Sequence, residues 1–125
     1  MIKGLRLATI WSEDLTRKLL PFYRDVIGLK PGIEAPGFVL FGDPNAPALA
    51  LGTHSEVHGN ATDPARHMVG LEVDDIQAEY QRLKNAGVDF IQAPEKGPGD
   101  DSPIMATLRD PEGNLVQLFQ YAGAM

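Results

Sequence analysis

Residues 5–11 are apolar and partly β-branched, which predicts a strand. From Asp14 the period changes: Leu15, Leu19, Phe22, Tyr23, Val26 and Ile27 recur at helical spacing, and Gly28 follows as a helix-ending residue. Pro21 falls inside that stripe and is expected to kink the helix or delay its start. Residues 38–41 and 48–51 then read as a hairpin across the turn Asp43-Pro44-Asn45. The second half is plainer. Residues 67–73 form a strand pattern, Asp74 or Asp75 is placed to cap a helix, and Ile76, Tyr80, Leu83 and Ala86 make its apolar stripe. Residues 88–91, 104–108 and 114–121 supply three more strand patterns.

The two halves share punctuation in the same order. Acidic or hydroxyl clusters open each helix, at Ser12-Glu13-Asp14 and Asp74-Asp75. Gly28 and Gly87 close them, and an Asp-Pro turn precedes each last strand, at Asp43-Pro44 and Asp110-Pro111. The offsets drift around a value of about 60 residues, as loop insertions would produce, so the chain reads as two copies of one supersecondary unit. The expected organisation is a single domain over 1–125, with a first module at 1–55, a polar linker at 56–66 and a second module at 67–125. The stretch 95–102, rich in Gly, Pro and Asp, is expected to be a flap.

Composition narrows the chemistry. Hydrophobic residues make up 43% of the 125, enough for a packed core, and the absence of Cys excludes disulfides, thiolate metal sites and cysteine nucleophiles. Eleven Lys and Arg against seventeen Asp and Glu leave a formal charge of −6, which opposes a nucleic-acid partner. No apolar run approaches the ~20 residues of a membrane span, and no signal-peptide pattern opens the chain. The expectation is therefore a cytoplasmic globular protein, and the negative field favours cationic over anionic small molecules. No Gly-rich phosphate loop, nucleotide fingerprint or Ser-His-Asp order competes.

Three phrases carry a resemblance. The run Pro21-Phe22-Tyr23-Arg24-Asp25-Val26-Ile27-Gly28-Leu29 resembles the end of the first helix in the vicinal oxygen chelate superfamily, which contains glyoxalase I, bleomycin-resistance proteins and extradiol dioxygenases. Glu72-Val73-Asp74-Asp75-Ile76 resembles the opening of its second helix. Leu108-Arg109-Asp110-Pro111-Glu112-Gly113-Asn114-Leu115 resembles the turn before its final strand. The resemblance spans nearly the whole chain. It implies an α+β fold in which two βαβββ modules form a curved mixed β-sheet cup with helices on the outside, and it points to a homodimer.

The resemblance also implies where a divalent ion would be held. The first-strand ligand, about seven residues before the helix-opening acid, falls on Leu7, and the fifth-strand ligand falls on Met68. The last-strand ligand, three residues after the Asn of Gly-Asn, falls on Gln117, whose repeat partner is Ala50. Leu and Ala offer no lone pair, Met a soft thioether and Gln a neutral carbonyl, so neither metal nor other cofactor is expected.

Strand alternation assigns the cup face to Leu7, Thr9 and Trp11, to Ala48 and Ala50, to Met68 and Gly70, and to Leu115, Gln117, Phe119 and Tyr121. That wall is apolar and aromatic, a pocket for a small organic molecule on which Trp11, Phe119 and Tyr121 stack a flat or cationic ligand. A filled core or dimer interface is the plainer use of the same residues. No catalytic residue is assigned. The rival reading is a metal-dependent lyase, isomerase or dioxygenase with unusual ligands, His67 or His54 with Glu72. Parity places His67 with Val69, Leu71 and Val73 on the helix-covered face, whereas Glu72 shares the cup face. His54 and His58 have the spacing of a helical metal clip but sit beside a linker with little helical pattern.

Overall fold

The computed structural model describes residues 1, 3, 5–43 and 45–121; Pro44 of the first Asp-Pro turn lies outside the described residues. The chain divides into two compact units, Met1–Asn60 and Ala61–Met125. The first contains strands β1 (Leu7–Ser12), β2 (Pro31–Ala35), β3 (Phe38–Phe41) and β4 (Ala48–Thr53). The second contains β5 (Val69–Glu72), β6 (Asp89–Lys96), β7 (Ile104–Arg109) and β8 (Leu115–Gln120). Each set forms a four-stranded mixed sheet, in the orders β1-β4-β3-β2 and β5-β8-β7-β6. In both, the first strand runs parallel to the last and the other pairs are antiparallel. The same connectivity twice is the structural form of the sequence repeat.

The repeated punctuation has repeated atomic roles. Asp14 accepts the Arg17 N–H at 3.2 Å and Asp75 accepts the Ala78 N–H at 3.1 Å, each satisfying an otherwise unbonded donor in the first helical turn. Gly28 and Gly87 take φ of 95° and 89°, a left-handed conformation that side chains with a Cβ resist. Asp43 accepts the Asn45 N–H at 2.8 Å, and Asp110 accepts the Glu112 N–H at 2.9 Å, the same turn before each last strand. Asp110 does more than its counterpart. Buried to 5% exposure, it also receives the Asn114 backbone N–H and side-chain amide at 2.9 and 2.8 Å.

The first helical stretch departs from expectation. Pro21 neither breaks it nor delays it: the chain winds as two π-helical segments, Leu15–Leu19 and Pro21–Ile27, with Leu20 between them. A wider i→i+5 winding accommodates an extra residue without displacing the apolar stripe, so Leu15, Leu19, Leu20, Phe22 and Tyr23 are all buried. Its ending is correspondingly one residue wider. The Leu29 N–H reaches back to the Tyr23 carbonyl, whereas the α-helix Ile76–Asn85 closes with the Val88 N–H on Leu83.

Two strands differ from the sequence reading. β2 is the third strand that the βαβββ module implies after the first helix and that the residue pattern does not mark, and β6 continues through Pro94 to Lys96 instead of stopping at residue 91. Both are edge strands, where a missing proline N–H removes no ladder bond that the sheet requires. The expected flap thus begins inside β6. The Gly97 N–H bonds to the Pro103 carbonyl at 3.2 Å, closing the loop between β6 and β7. The linker region contains a short 3₁₀ turn, Pro64–Arg66, and its Ala61 N–H bonds to the Glu112 carbonyl at 2.9 Å.

Each sheet has one helical cover. In the first unit the segment Leu15–Leu19 lies over β1 and β4, and the Leu15 N–H bonds to Thr53 Oγ1 at 3.2 Å. Thr53 shares its face with Leu49 and Leu51, so that is the covered side. In the second unit the Ile76 N–H bonds to Gln120 Oε1 at 2.8 Å, and Gln120 shares its face with the buried Val116 and Leu118. Among the described residues no helix is long and apolar enough to cross a membrane.

Replacing Asp110 by Ala removes a buried carboxylate that holds three donors. It should destabilise the protein by about 2–4 kcal/mol, read as a lower midpoint in urea at unchanged slope. The half-buried Glu13 carboxyl is held below the usual carboxylate range by its hydrogen bond to the Lys18 ammonium, then by the Gly59 backbone. Its small contribution is present above the unfolded-state pKa and is lost as pH falls through the lowered folded value. Glu13→Gln should therefore flatten the acid limb of a stability–pH curve.

Candidate functional site

Among the described residues, no helix of its own unit covers the opposite face of either sheet. In the first, register places Leu7 beside Ala48, Thr9 beside Ala50 and Trp11 beside Gly52 on that open face. Leu40 and Phe38 of β3 continue the row. Leu7 and Trp11 are 39% and 45% exposed, an arrangement that leaves large apolar surface in water. Ala50 is fully buried and forms floor, with nothing to offer a ligand but shape.

Trp11 is positioned by an absence. A Cβ on Gly52 would stand 2.4 Å from Trp11 Cζ3, so the indole lies directly on the backbone of the neighbouring strand. Aromatic cover of a cross-strand glycine restores packing where the sheet would otherwise be bare. His54, just beyond β4, meets the indole edge-to-face at 5.4 Å between centroids. Its Nδ1 accepts the Glu56 N–H at 3.1 Å, which fixes the ring and leaves Nε2 as its other polar atom.

The second unit repeats the device with its parts exchanged. Phe119 lies over Gly70, where a Cβ would stand 2.9 Å from Phe119 Cε2, and Tyr121 stacks near it at 6.0 Å and 18°. Gly70 pairs with Gln117 and Glu72 with Phe119, so the open face is Gly70, Glu72, Leu115, Gln117 and Phe119. Met68, just ahead of β5, is 40% exposed, whereas Leu115 is buried.

Three residues missed in the sequence join this face. Thr107 pairs with Gln117 and donates its hydroxyl to Gln92 Oε1 at 3.0 Å; Met105 Sδ receives the Gln117 amide at 3.4 Å. The alternation of Met105 and Thr107 against Ala106 and Leu108 was a usable signal. Gln92 had none, because β6 carries two register shifts.

The residues that the resemblance implied as metal ligands do not fit a hard or borderline divalent ion. Leu7 and Ala50 carry no donor atom, Met68 offers a thioether, and the Gln117 amide nitrogen is engaged with sulfur. Among the described residues no three His, Asp or Glu side chains gather closely enough to hold an ion. His67 is exposed, at the end of the 3₁₀ turn, and Glu72 is exposed on β5. His54 and His58 flank a turn and not a helix, since the Val57 N–H bonds to the His54 carbonyl at 3.1 Å; the helical clip does not form.

With this geometry in hand, comparison with known proteins identifies the class. The Glyoxalase/Bleomycin resistance protein/Dioxygenase superfamily profile matches residues 8–118, and the chain belongs to that superfamily. A glyoxalase/bleomycin resistance protein/dioxygenase from Nocardioides superposes with a TM-score of 0.73 at 20% identity, over 100% of this chain and 87% of that one. A superfamily member from Sphaerobacter thermophilus gives 0.68 at 25% identity, over 95% and 98%. Lactoylglutathione lyase from Agrobacterium tumefaciens gives 0.69 at 19% identity, over 96% and 95%. Likeness at this level of identity establishes the fold and leaves the chemistry to the residues.

Gly52→Ala tests the indole seat. The added methyl must push the exposed ring off the backbone, so stability should fall by only about 1 kcal/mol. The emission of Trp11, the single tryptophan, should move to the red as the ring enters water.

Proposed function

We propose that the chain binds a small, largely apolar organic molecule on its open sheet faces without a divalent metal, and that it works as a homodimer. The observation that carries this reading is the pairing of exposed aromatic surface with a donor set unsuited to ions. Trp11 over Gly52 and Phe119 over Gly70 present aromatic surface, while Leu7, Ala50, Met68 and Gln117 stand at the positions that the resemblance implies for metal ligands. On the first sheet the candidate binding residues are Leu7, Thr9, Trp11 and Ala50. On the second they are Met68, Gly70, Leu115, Gln117 and Phe119. The formal charge of −6 favours neutral or cationic guests over anionic ones. The name bleomycin resistance protein in the superfamily's description is compatible with binding as an end in itself.

The test is a melting-point screen of aromatic and cationic metabolites, joined to metal analysis of protein purified without chelators, with and without added Ni²⁺, Mn²⁺ or Fe²⁺. A guest at a hundred times its Kd should add about 2.7 kcal/mol, a rise of roughly 5–15 °C, and should quench Trp11, with metal remaining substoichiometric. Stoichiometric metal that disappears in His67→Ala would replace this reading with a metal-dependent lyase, isomerase or dioxygenase using His67 or His54 with Glu72. A single species of monomer mass in light scattering would remove the homodimer.

A further inference from the structure

The open face of the second sheet carries a polar row that the apolar reading leaves unused. Gly70, Gln117, Thr107 and Gln92 stand side by side across β5, β8, β7 and β6. None of the four bears a formal charge. Each polar member has part of its hydrogen-bonding capacity committed within the face, and the commitments fix what is left.

Thr107 is 4% exposed and directs its hydroxyl proton to Gln92 Oε1 at 3.0 Å. A glutamine whose oxygen is so occupied turns its NH₂ outward as a donor. Gln117 is arranged the opposite way: its Nε2 donates to Met105 Sδ at 3.4 Å, which leaves the carbonyl oxygen as its outward acceptor. Both amides therefore lean toward β7, one onto Thr107 and the other onto Met105. Those two residues are two positions apart on one strand, a separation of about 7 Å. Beside Gln117 on the same strand face, the Phe119 ring lies against Gly70, with Tyr121 stacked near it at 6.0 Å.

We propose that this face recognises a neutral cyclic amide fused to an aromatic ring, its N–H donating to Gln117 Oε1, its carbonyl accepting from the Gln92 NH₂, and its ring packed on Phe119. The inference rests on the proposed binding function and assigns the chemical class of its guest. A carboxylate guest would meet the Gln117 oxygen and the nearby Glu72 and Glu95 as repulsive neighbours. A pure hydrocarbon would cover the outward Gln117 oxygen and Gln92 NH₂ without bonding to either, a loss that such a face discriminates against.

The probes are quinolin-2(1H)-one, its N-methyl derivative and naphthalene, measured by equilibrium dialysis against the full chain. Quinolin-2(1H)-one should bind at least about tenfold more tightly than either comparison compound, and that preference should fall below about threefold in Gln117→Leu and in Gln92→Leu. In the wild-type protein the side-chain NH₂ resonances of Gln92 and Gln117 should shift on titration with the lactam and not with naphthalene, a readout that holds even if a variant fails to fold. Equal affinity for all three probes, or a preference that survives in both folded variants, overturns the lactam assignment while leaving the apolar binding surface intact. Binding of none of the probes, with no guest found in the melting-point screen, overturns both.

Discussion

Each sheet has two faces and its own unit supplies one helical cover. That shortage shapes the rest of the molecule. Burial of Leu15 and Leu19 against one side of the first sheet, and of Ile76 and Leu83 against one side of the second, consumes the helices. The opposite faces are left to the strands themselves. Their side chains are too apolar for an ordinary solvated surface, since Leu7, Trp11 and Met68 are each about two-fifths exposed. The chain partly covers this surface by laying aromatic rings over glycines, Trp11 on Gly52 and Phe119 on Gly70. A ring held that way is packed on one side and open on the other, which is the geometry of a stacking platform.

The duplication gives this device its form. Both modules share strand order, helix caps and turn chemistry, yet the aromatic sits on the first strand in one and on the last strand in the other. The seats also differ in register: Gly52 is the direct ladder partner of Trp11, whereas Phe119 pairs with Glu72 and reaches diagonally to Gly70. Divergence of the same kind separates the paired turns. The Asp43 carboxylate accepts the Asn45 N–H at an exposed turn, whereas the Asp110 carboxylate gathers three donors in a buried setting.

Much of this was legible in the sequence because it is governed by local rules. Asp14, Asp75, Gly28 and Gly87 declare helix ends through hydrogen-bond and backbone requirements that operate within a few residues. Strand alternation correctly separated Val69, Leu71 and Val73 from Gly70 and Glu72, as the register with Val116, Gln117, Leu118 and Phe119 shows. What was not legible depends on partners distant in sequence. β2 begins at Pro31 and is largely exposed, so neither propensity nor apolar alternation marks it; β3 alone makes it a strand. The π-helical winding through Pro21 preserves the apolar stripe while changing the hydrogen bonds, and a stripe is all that the sequence displays. Gln92 reaches Thr107 only because two irregularities in β6 set its register. The polar row was hidden for that reason, although Gln117 itself was in view.

In the function proposed here, this member of the superfamily recognises its guest through apolar surface and amides in place of a chelated ion. A crystal structure of the protein grown with both a bound aromatic guest and added Ni²⁺ addresses it directly. The account predicts the guest seated on open-face residues, with Trp11, Phe119 or Gln117 in contact and no nickel ordered beside it. A nickel ion coordinated by His54, His67 or Glu72 with the guest bound to the metal would contradict it.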